Sequence, residues 1–540
     1  MLDQQRLIEK SFQDGTREKR HCILTNLSQN YLPPSNEASF WRKFSIQDRL
    51  KTSNQYSLLN YSSPRTLFGP PNSTLNIPTT NSPNTISTPN GSGFINGSDS
   101  ASSELSNLVF AHHIVGNTYN YTQDSWASDI KLASSKGIDA FALNVGSDSW
   151  EAGQIKNAYS AAQSLNATFK LFLSLDMSSL PCSQSSDAGA LRDYITTYAS
   201  HPNQLLYNGS VFVSTFAGES CTFGFSSNSG TILDDSWRYA IKNTTITNFP
   251  PVYFVPSFFI DPTRYRQLTV IDGAFNWNSA WPTGNTNATT TSISDISYTS
   301  NLRYNNQTNN RTYMAGVSPW FFTHYGKDTF NKNFIYHFDD WLFAQRWELL
   351  IANRTNIDFA EVITWNDYGE SHYVGPIDGV QPMSQSWVNG FDHQGWLDLM
   401  QYYITAYKTG TYPPITKDRV FLWCRLYPVN ATASNDTVGK PTNYEWTEDY
   451  LWAVVLLTSS AEVTLSCSPS SSSQKTTLPA GLNKLKLPLT NGTGANGTCN
   501  VKATISRSQN ITLDFEPEGF TFSAKPITYN FNVFVAASPA

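Results

Sequence analysis

Two carboxylates three residues apart, Asp367 and Glu370, stand in the stretch Phe359-Ala-Glu-Val-Ile-Thr-Trp-Asn-Asp-Tyr-Gly-Glu-Ser-His-Tyr373. Paired acids of this kind suit the cleavage of a glycosidic bond. One carboxyl protonates the leaving oxygen, while the other activates water or attacks the sugar. Trp365, Asn366, Tyr368 and His372 surround the two acids and are types that stack on or hydrogen-bond a pyranose. The opening residues of the stretch are apolar and β-branched, and read as a buried strand that breaks into polar residues. A parallel strand that ends this way describes the catalytic rim of a β/α barrel. The plainer alternative is a polar loop with an N-capping Asp.

Other residues able to do chemistry also fall at the ends of apolar runs: His112 and His113, Asn144 and Asp148, Asp176, Glu219, and Asn276 with Trp277. Asp272 lies in the sixth run and Trp320 just after the seventh. Each has a structural alternative. Asp176 could cap a helix, Glu219 could tie a loop, Asp272 could fix a turn, and His112 could be a satisfied core histidine. Trp277, Trp281 and Trp320 could be core, although three tryptophans directly after strands exceed what a core needs. No G-x-S-x-G elbow and no H-E-x-x-H occurs, which leaves acyl transfer and metalloprotease chemistry without support.

The elements that must position these residues alternate from Leu108 onward. Strands are expected at Leu108 to Val115, Asp139 to Gly146, Phe169 to Asp176, Val211 to Gly218, Val252 to Phe259, Ile271 to Trp277, Tyr313 to Pro319 and Phe359 to Asp367. Helical spacing intervenes, as in Leu191, Tyr194, Ile195 and Tyr198. Eight strand–helix units predict an α/β fold, a (β/α)8 TIM-type barrel over 107–412. A doubly wound open sheet competes, but no G-x-G-x-x-G follows the first strand. After Pro413 short runs rich in Val, Leu, Thr and aromatics predict a C-terminal β-sandwich over 413–540, which could bind glycan or brace the barrel. Residues 1–106 are Ser/Asn/Thr/Pro-rich and read as a disordered leader.

Composition narrows the partners. Charged residues make up 14% of the chain and aromatics another 14%, a balance suited to neutral rings. A net charge of -6 offers no footprint for nucleic acid or an anionic membrane surface. No run reaches the roughly 18 apolar residues of a membrane span. The six cysteines include no C-x-x-C and no Cys/His cluster, so neither metal nor cofactor is expected. Pairing of Cys182 with Cys221 and of Cys467 with Cys499 is expected instead, with Cys22 and Cys424 lacking an obvious partner. About eighteen Asn-x-Ser/Thr sequons, among them Asn120 and Asn208, point with the cysteines to an oxidising, glycosylating route. Residues 1–20 nonetheless show no apolar signal segment. The expected location is extracellular or cell wall, as a monomer.

Five ordered blocks carry a resemblance: Val109-Phe-Ala-His-His-Ile-Val-Gly-Asn-Thr118, Gly137-Ile-Asp-Ala-Phe-Ala-Leu-Asn144, Phe172-Leu-Ser-Leu-Asp176, Asp272-Gly-Ala-Phe-Asn-Trp277 and Thr364-Trp-Asn-Asp-Tyr-Gly-Glu-Ser-His372. Together they resemble the fungal α-1,3-glucanases (mutanases) of glycoside hydrolase family 71. The resemblance implies endo-acting, inverting hydrolysis of α-1,3-glucan on a barrel with a C-terminal sandwich. It also implies that Asp176, Asp367 and Glu370 are the essential acids, with Glu370 as general acid, Asp367 as the base that activates water, and Asp176 in support. An inverting pair stands roughly 6.5 to 9.5 Å apart, so a spacing nearer 5 Å would count against those two roles. A barrel glycosidase acting on another polysaccharide, and a non-catalytic wall-glycan binder, are the competing readings.

Overall fold

The computed structural model describes residues 107–226, 231–243, 246–281, 288–304, 311–337, 339–470, 472–489 and 497–540. The leader and Cys22 lie outside the described residues. Eight strands lie in one parallel sheet: β1 (Leu108–Ile114), β2 (Ala140–Val145), β3 (Lys170–Asp176), β4 (Ser210–Phe216), β5 (Val252–Ser257), β6 (Gly273–Asn276), β7 (Thr312–Val317) and β8 (Phe359–Val362). Their spatial order is β5-β4-β3-β2-β1-β8-β7-β6, with a two-residue antiparallel strand, Leu206–Tyr207, at β4. The helices α1 (Gln123–Ser135), α2 (Glu151–Ser164), α3 (Asp187–Tyr198), α4 (Ile232–Ile241), α5 (Ala288–Leu302), α6 (Leu342–Ala352) and α7 (Gln394–Thr409) connect or follow them. Between β5 and β6 a 3-10 turn, Pro262–Arg266, stands in place of a helix.

The pleat assigns the side chains. On β1, Phe110 belongs to the cluster inside the curl, while Val109 and Ala111 belong to the cluster under the helices. Phe172 on β3, Phe212 on β4 and Phe359 on β8 also point inward. The rings of Phe212 and Phe359 lie 5.4 Å apart, although their strands are four places apart in the sheet. A flat sheet would separate them by about 19 Å at the normal strand spacing. The sheet is therefore strongly curled, and its inner aromatic plug holds the curl. The edges β5 and β6 are joined where Asp272 N donates to Phe254 O at 2.9 Å and Asp272 Oδ2 accepts from Phe254 N at 2.6 Å.

Local chemistry sets the boundaries. Thr122 and Ser125 form a reciprocal capping box that starts α1. β8 is shorter than the expected Phe359 to Asp367 because its chain leaves the ladder after Val362. Thr364 N donates to His372 O and Val374 N to Thr364 O, so residues 364–374 close on themselves as a loop.

Beyond α7 the chain forms two antiparallel sheets. One contains β9 (Arg419–Arg425), β10 (Tyr450–Leu457), β13 (Gly481–Pro488) and β17 (Val533–Ala537). The other contains β11 (Ala461–Ser468), β12 (Ser472–Leu478), β14 (Thr498–Arg507), β15 (Asn510–Phe515) and β16 (Thr521–Ser523). Alternate residues of both, such as Val420, Leu422, Val463 and Val501, share one buried cluster. Disulfides join Cys182 to Cys221 and Cys467 to Cys499, and Cys424 is a buried free thiol. The strand β12, Ser-Ser-Gln-Lys-Thr-Thr-Leu, carries no apolar alternation and so gives no signal in the sequence.

The antiparallel region is tied to the parallel one through buried polar groups. Arg425 Nε donates to Asp339 at 2.7 Å and its Nη2 to Asp449 at 2.9 Å, all three being nearly fully buried. Trp341 Nε1 donates to Ala453 O, and Trp423 Nε1 to Asp340 O.

Candidate active site

The loop after β8 is fixed from several sides before its acids reach the mouth of the curl. Asn366 grips the end of β1, its Oδ1 accepting from Ile114 N at 2.7 Å and its Nδ2 donating to Ile114 O at 3.0 Å. Tyr368 Oη donates to Pro376 O and accepts from Asp378 N and Gly379 N. Trp365 is fully buried against Phe141. These three residues hold the loop. Gly369 is required there, because a Cβ would approach Tyr325 Oη to 2.5 Å.

Asp367 and Glu370 are thereby presented side by side. Glu370 N donates to Asp367 Oδ1 at 3.1 Å. His372, fully buried, places Nε2 3.1 Å from Glu370 Oε2 and 3.5 Å from Asp367 Oδ2. Lys332, from the hairpin Phe322–His324/Asn333–Ile335, stands 3.7 Å from Glu370 Oε1. Carboxylate oxygens of the pair and a ring nitrogen of His372 all lie within 4.8 Å of one another. An O2N set of that size could hold a divalent cation. It is also shorter than the gap that an acid and a water-activating base require on opposite sides of a sugar.

The pair divides its charge. Burial, then the neighbouring Glu370 charge, pushes the Asp367 carboxyl up to about 6. Burial also pushes Glu370 upward, but the His372 hydrogen bond and the Lys332 ammonium outweigh it and hold Glu370 below its ordinary value. Of the two, Asp367 is therefore the carboxyl held toward its protonated form.

Alternation places three more predicted residues inside the curl. His112 on β1, Asn144 on β2 and Asp176 on β3 are each in step with the inward Phe110, Ala142 and Phe172. Asp176 Oδ1 accepts from Ser178 N at 2.9 Å and Ser178 Oγ at 2.6 Å. Trp277 packs edge-on to His112 at 4.9 Å. Glu219, half-buried past β4, accepts from Phe259 N at 3.3 Å.

Three expectations fall elsewhere. Asp272 precedes β6 at the opposite end from the mouth, ion-paired with Lys242 at 2.5 Å, and it fastens the β5–β6 edge. Asn276 faces the helices, where Nδ2 donates to Ser294 Oγ and Tyr313 Oη. Trp320 is buried in the outer core. For Asn276 the outward register decides the case, since a slip of one residue reverses the facing of a strand's side chains.

Sequence reasoning missed Lys332, Glu361 and Glu151. Glu361 is fully buried on β8, its Oε1 2.7 Å from His112 Nδ1, and burial raises its pKa. A lone acid inside an apolar strand was a usable signal for it. Glu151, which begins α2, accepts from Gly146 N at 2.7 Å; burial pushes it up to about 8, and the Asp176 charge adds to that. Lys332 arrives on a hairpin that no periodicity announces.

Comparison with known proteins follows from this geometry. The sequence matches the model of glycosyl hydrolase family 71 over residues 105–540. The glucan endo-1,3-alpha-glucosidase of Schizosaccharomyces pombe is 42% identical over 386 residues, 71% of this chain and 85% of that protein. The ascus wall endo-1,3-alpha-glucanase of the same organism is 34% identical, covering 65% and 79%. A mutanase of Penicillium rubens is 32% identical, covering 82% and 91%. Among solved structures, the GH99 endo-alpha-mannosidase of Bacteroides thetaiotaomicron is similar with a TM-score of 0.42 at 10% identity, covering 57% of this chain and 98% of that one.

Proposed function

The chain belongs to glycosyl hydrolase family 71, and from that premise we propose that it cleaves internal bonds of cell-wall α-1,3-glucan at the Asp367/Glu370 loop, with inversion at the anomeric carbon. It is a glycoside hydrolase, and the names of its relatives support α-1,3-glucan as the substrate. The observation that carries the mechanism is the placement of Asp367 and Glu370 side by side on one loop, with His372 reaching both and Lys332 beside Glu370 alone; that asymmetry favours the proton on Asp367. Asp367, which keeps its proton to about pH 6, gives it to the leaving oxygen. Glu370 stays ionised beside it and favours the developing positive charge of the sugar. This reverses the roles expected from resemblance, in which Glu370 was the acid.

The base then comes from Asp176. We read the curled sheet as a (β/α)8 barrel over 107–412, followed by a β-sandwich over 413–540. In such a barrel β3 stands three places round from β8, so that Asp176 at its end lies across the mouth from the loop that follows β8. An inverting acid and base need roughly 6.5 to 9.5 Å between them, room for a water under the ring. His112, Asn144, Glu219 and Trp277 line the same mouth as sugar contacts. No helix among the described residues is long and apolar enough to cross a membrane, and the reading places the enzyme outside the cell, at the wall.

Proton NMR of freshly cleaved α-1,3-linked oligomers tests the mechanism. The β anomer should appear first. Initial release of the α anomer would remove Asp176 as base and make a carboxylate of the close pair a nucleophile.

A further inference from the structure

Two loops at the mouth present aromatic surface that the cleavage step does not use. Tyr119, in the loop after β1, is 62% exposed, which is unusual for a large ring in a chain whose tryptophans and tyrosines are mostly buried. Its ring meets that of Trp150, in the loop after β2, edge-to-face at 5.1 Å. Trp150 is half-buried, and its side chain lies beside the Asp148 carboxyl, where it favours the ionised form against burial. The Tyr119 carbonyl accepts from Gln154 Nε2 at 3.3 Å, and the Gln154 Oε1 accepts from Trp126 Nε1 at 3.0 Å. The tyrosine backbone is thus held by a buried network while its ring stays in solvent.

The platform is continuous with the catalytic loop. Asn117, two residues before Tyr119, donates to Asn366 O at 2.9 Å, and Asn366 is the neighbour of Asp367. At 3.8 Å per residue Tyr119 lies within about 8 Å of Asn117 along the chain, a distance of one or two glucosyl units. We infer that Tyr119, Trp150 and Asp148 form a distal subsite that stacks and hydrogen-bonds a glucosyl unit of the α-1,3-glucan chain away from the bond being cut. The inference rests on the proposed function. Apolar C–H faces of the sugar lie on the rings, and Asp148 accepts from a hydroxyl.

Tyr119→Ala, Trp150→Ala and Tyr119→Trp test this, each made in an Asn120→Gln background so that no glycan on the adjacent sequon covers the ring. Kinetics are taken on insoluble α-1,3-glucan and on the shortest α-1,3-linked oligomer that is cleaved. Both alanine variants should raise KM on the polymer about 5- to 50-fold, leave kcat on the short oligomer within about twofold, and shift products of long chains; Tyr119→Trp should restore the parent KM. Unchanged polymer KM in both alanine variants overturns the inference, as does an equal loss on polymer and short oligomer. If the parent cleaves no α-1,3-glucan, the proposed function fails. The subsite is then judged by retention of parent and Tyr119→Ala on immobilised α-1,3-glucan, where equal retention overturns it.

Discussion

The amide of Glu370 donates to Oδ1 of Asp367 at 3.1 Å, so the turn that carries one acid is hydrogen-bonded to the other. The two carboxylates cannot separate without breaking that turn. His372 Nε2, at 3.1 Å from Glu370 and 3.5 Å from Asp367, ties the two into one unit.

Asp367→Asn and Glu370→Gln should each lower kcat on α-1,3-glucan by about 10²–10⁴-fold, the usual contribution of a positioned acid or base. Asp272→Asn should leave kcat within about twofold while lowering the melting temperature, because it loses the charge pair with Lys242 that backs the β5–β6 clasp. Steady-state kinetics beside thermal melts separates the two classes.

The pH profile of kcat/KM should be a bell with its alkaline limb near pH 6, where Asp367 loses its proton. Its acid limb should belong to the base, Asp176, and not to Glu370. Lys332 lowers Asp367, so Lys332→Met should move the alkaline limb upward.

Stability should respond in the opposite sense to activity. The folded pKa of Asp367 is raised above its unfolded value, so its ionised form destabilises the fold. That cost is absent below about pH 4 and complete above about pH 6. Asp367→Asn should therefore raise stability at pH 7 by about 1–3 kcal/mol and have little effect at pH 4. Chemical denaturation at the two pH values checks it.

Azide should restore turnover to Asp176→Ala with release of a β-glycosyl azide, as the anion takes the place of the activated water. Rescue of Glu370→Ala and not of Asp176→Ala, read by mass spectrometry and NMR of the product, would move the base to Glu370.

Arg425→Ala should cost about 3–5 kcal/mol, because Asp339 and Asp449 are left as buried, unpaired charges. The loss should unfold the parallel and antiparallel regions together. A calorimetric scan that shows the antiparallel region melting alone would argue against its bracing role.

Much of this arrangement was legible in the sequence. All eight parallel strands fall where apolar runs placed them, and the cysteine pairs and the Asp367/Glu370 loop stood out by residue type. Inward or outward facing was not legible, so Asn276 and Trp320 were read as rim residues although a pleat turns one toward α5 and the outer core claims the other. Asp272 opens its run, and residue type alone does not separate a sugar contact there from the edge clasp it makes. Lys332 reaches Glu370 through tertiary packing that spacing along the chain does not encode. Asp367's proton depends on burial and on His372 and Lys332, a balance visible only in three dimensions.

Reducing-sugar release from insoluble α-1,3-glucan, run beside β-1,3-glucan, α-1,4-glucan and dextran with Asp367→Asn and Glu370→Gln as folded controls, tests the central claim most directly. Release confined to the α-1,3 polymer and lost in both variants is the predicted result. Release from another polymer, or undiminished release by either variant, would contradict it.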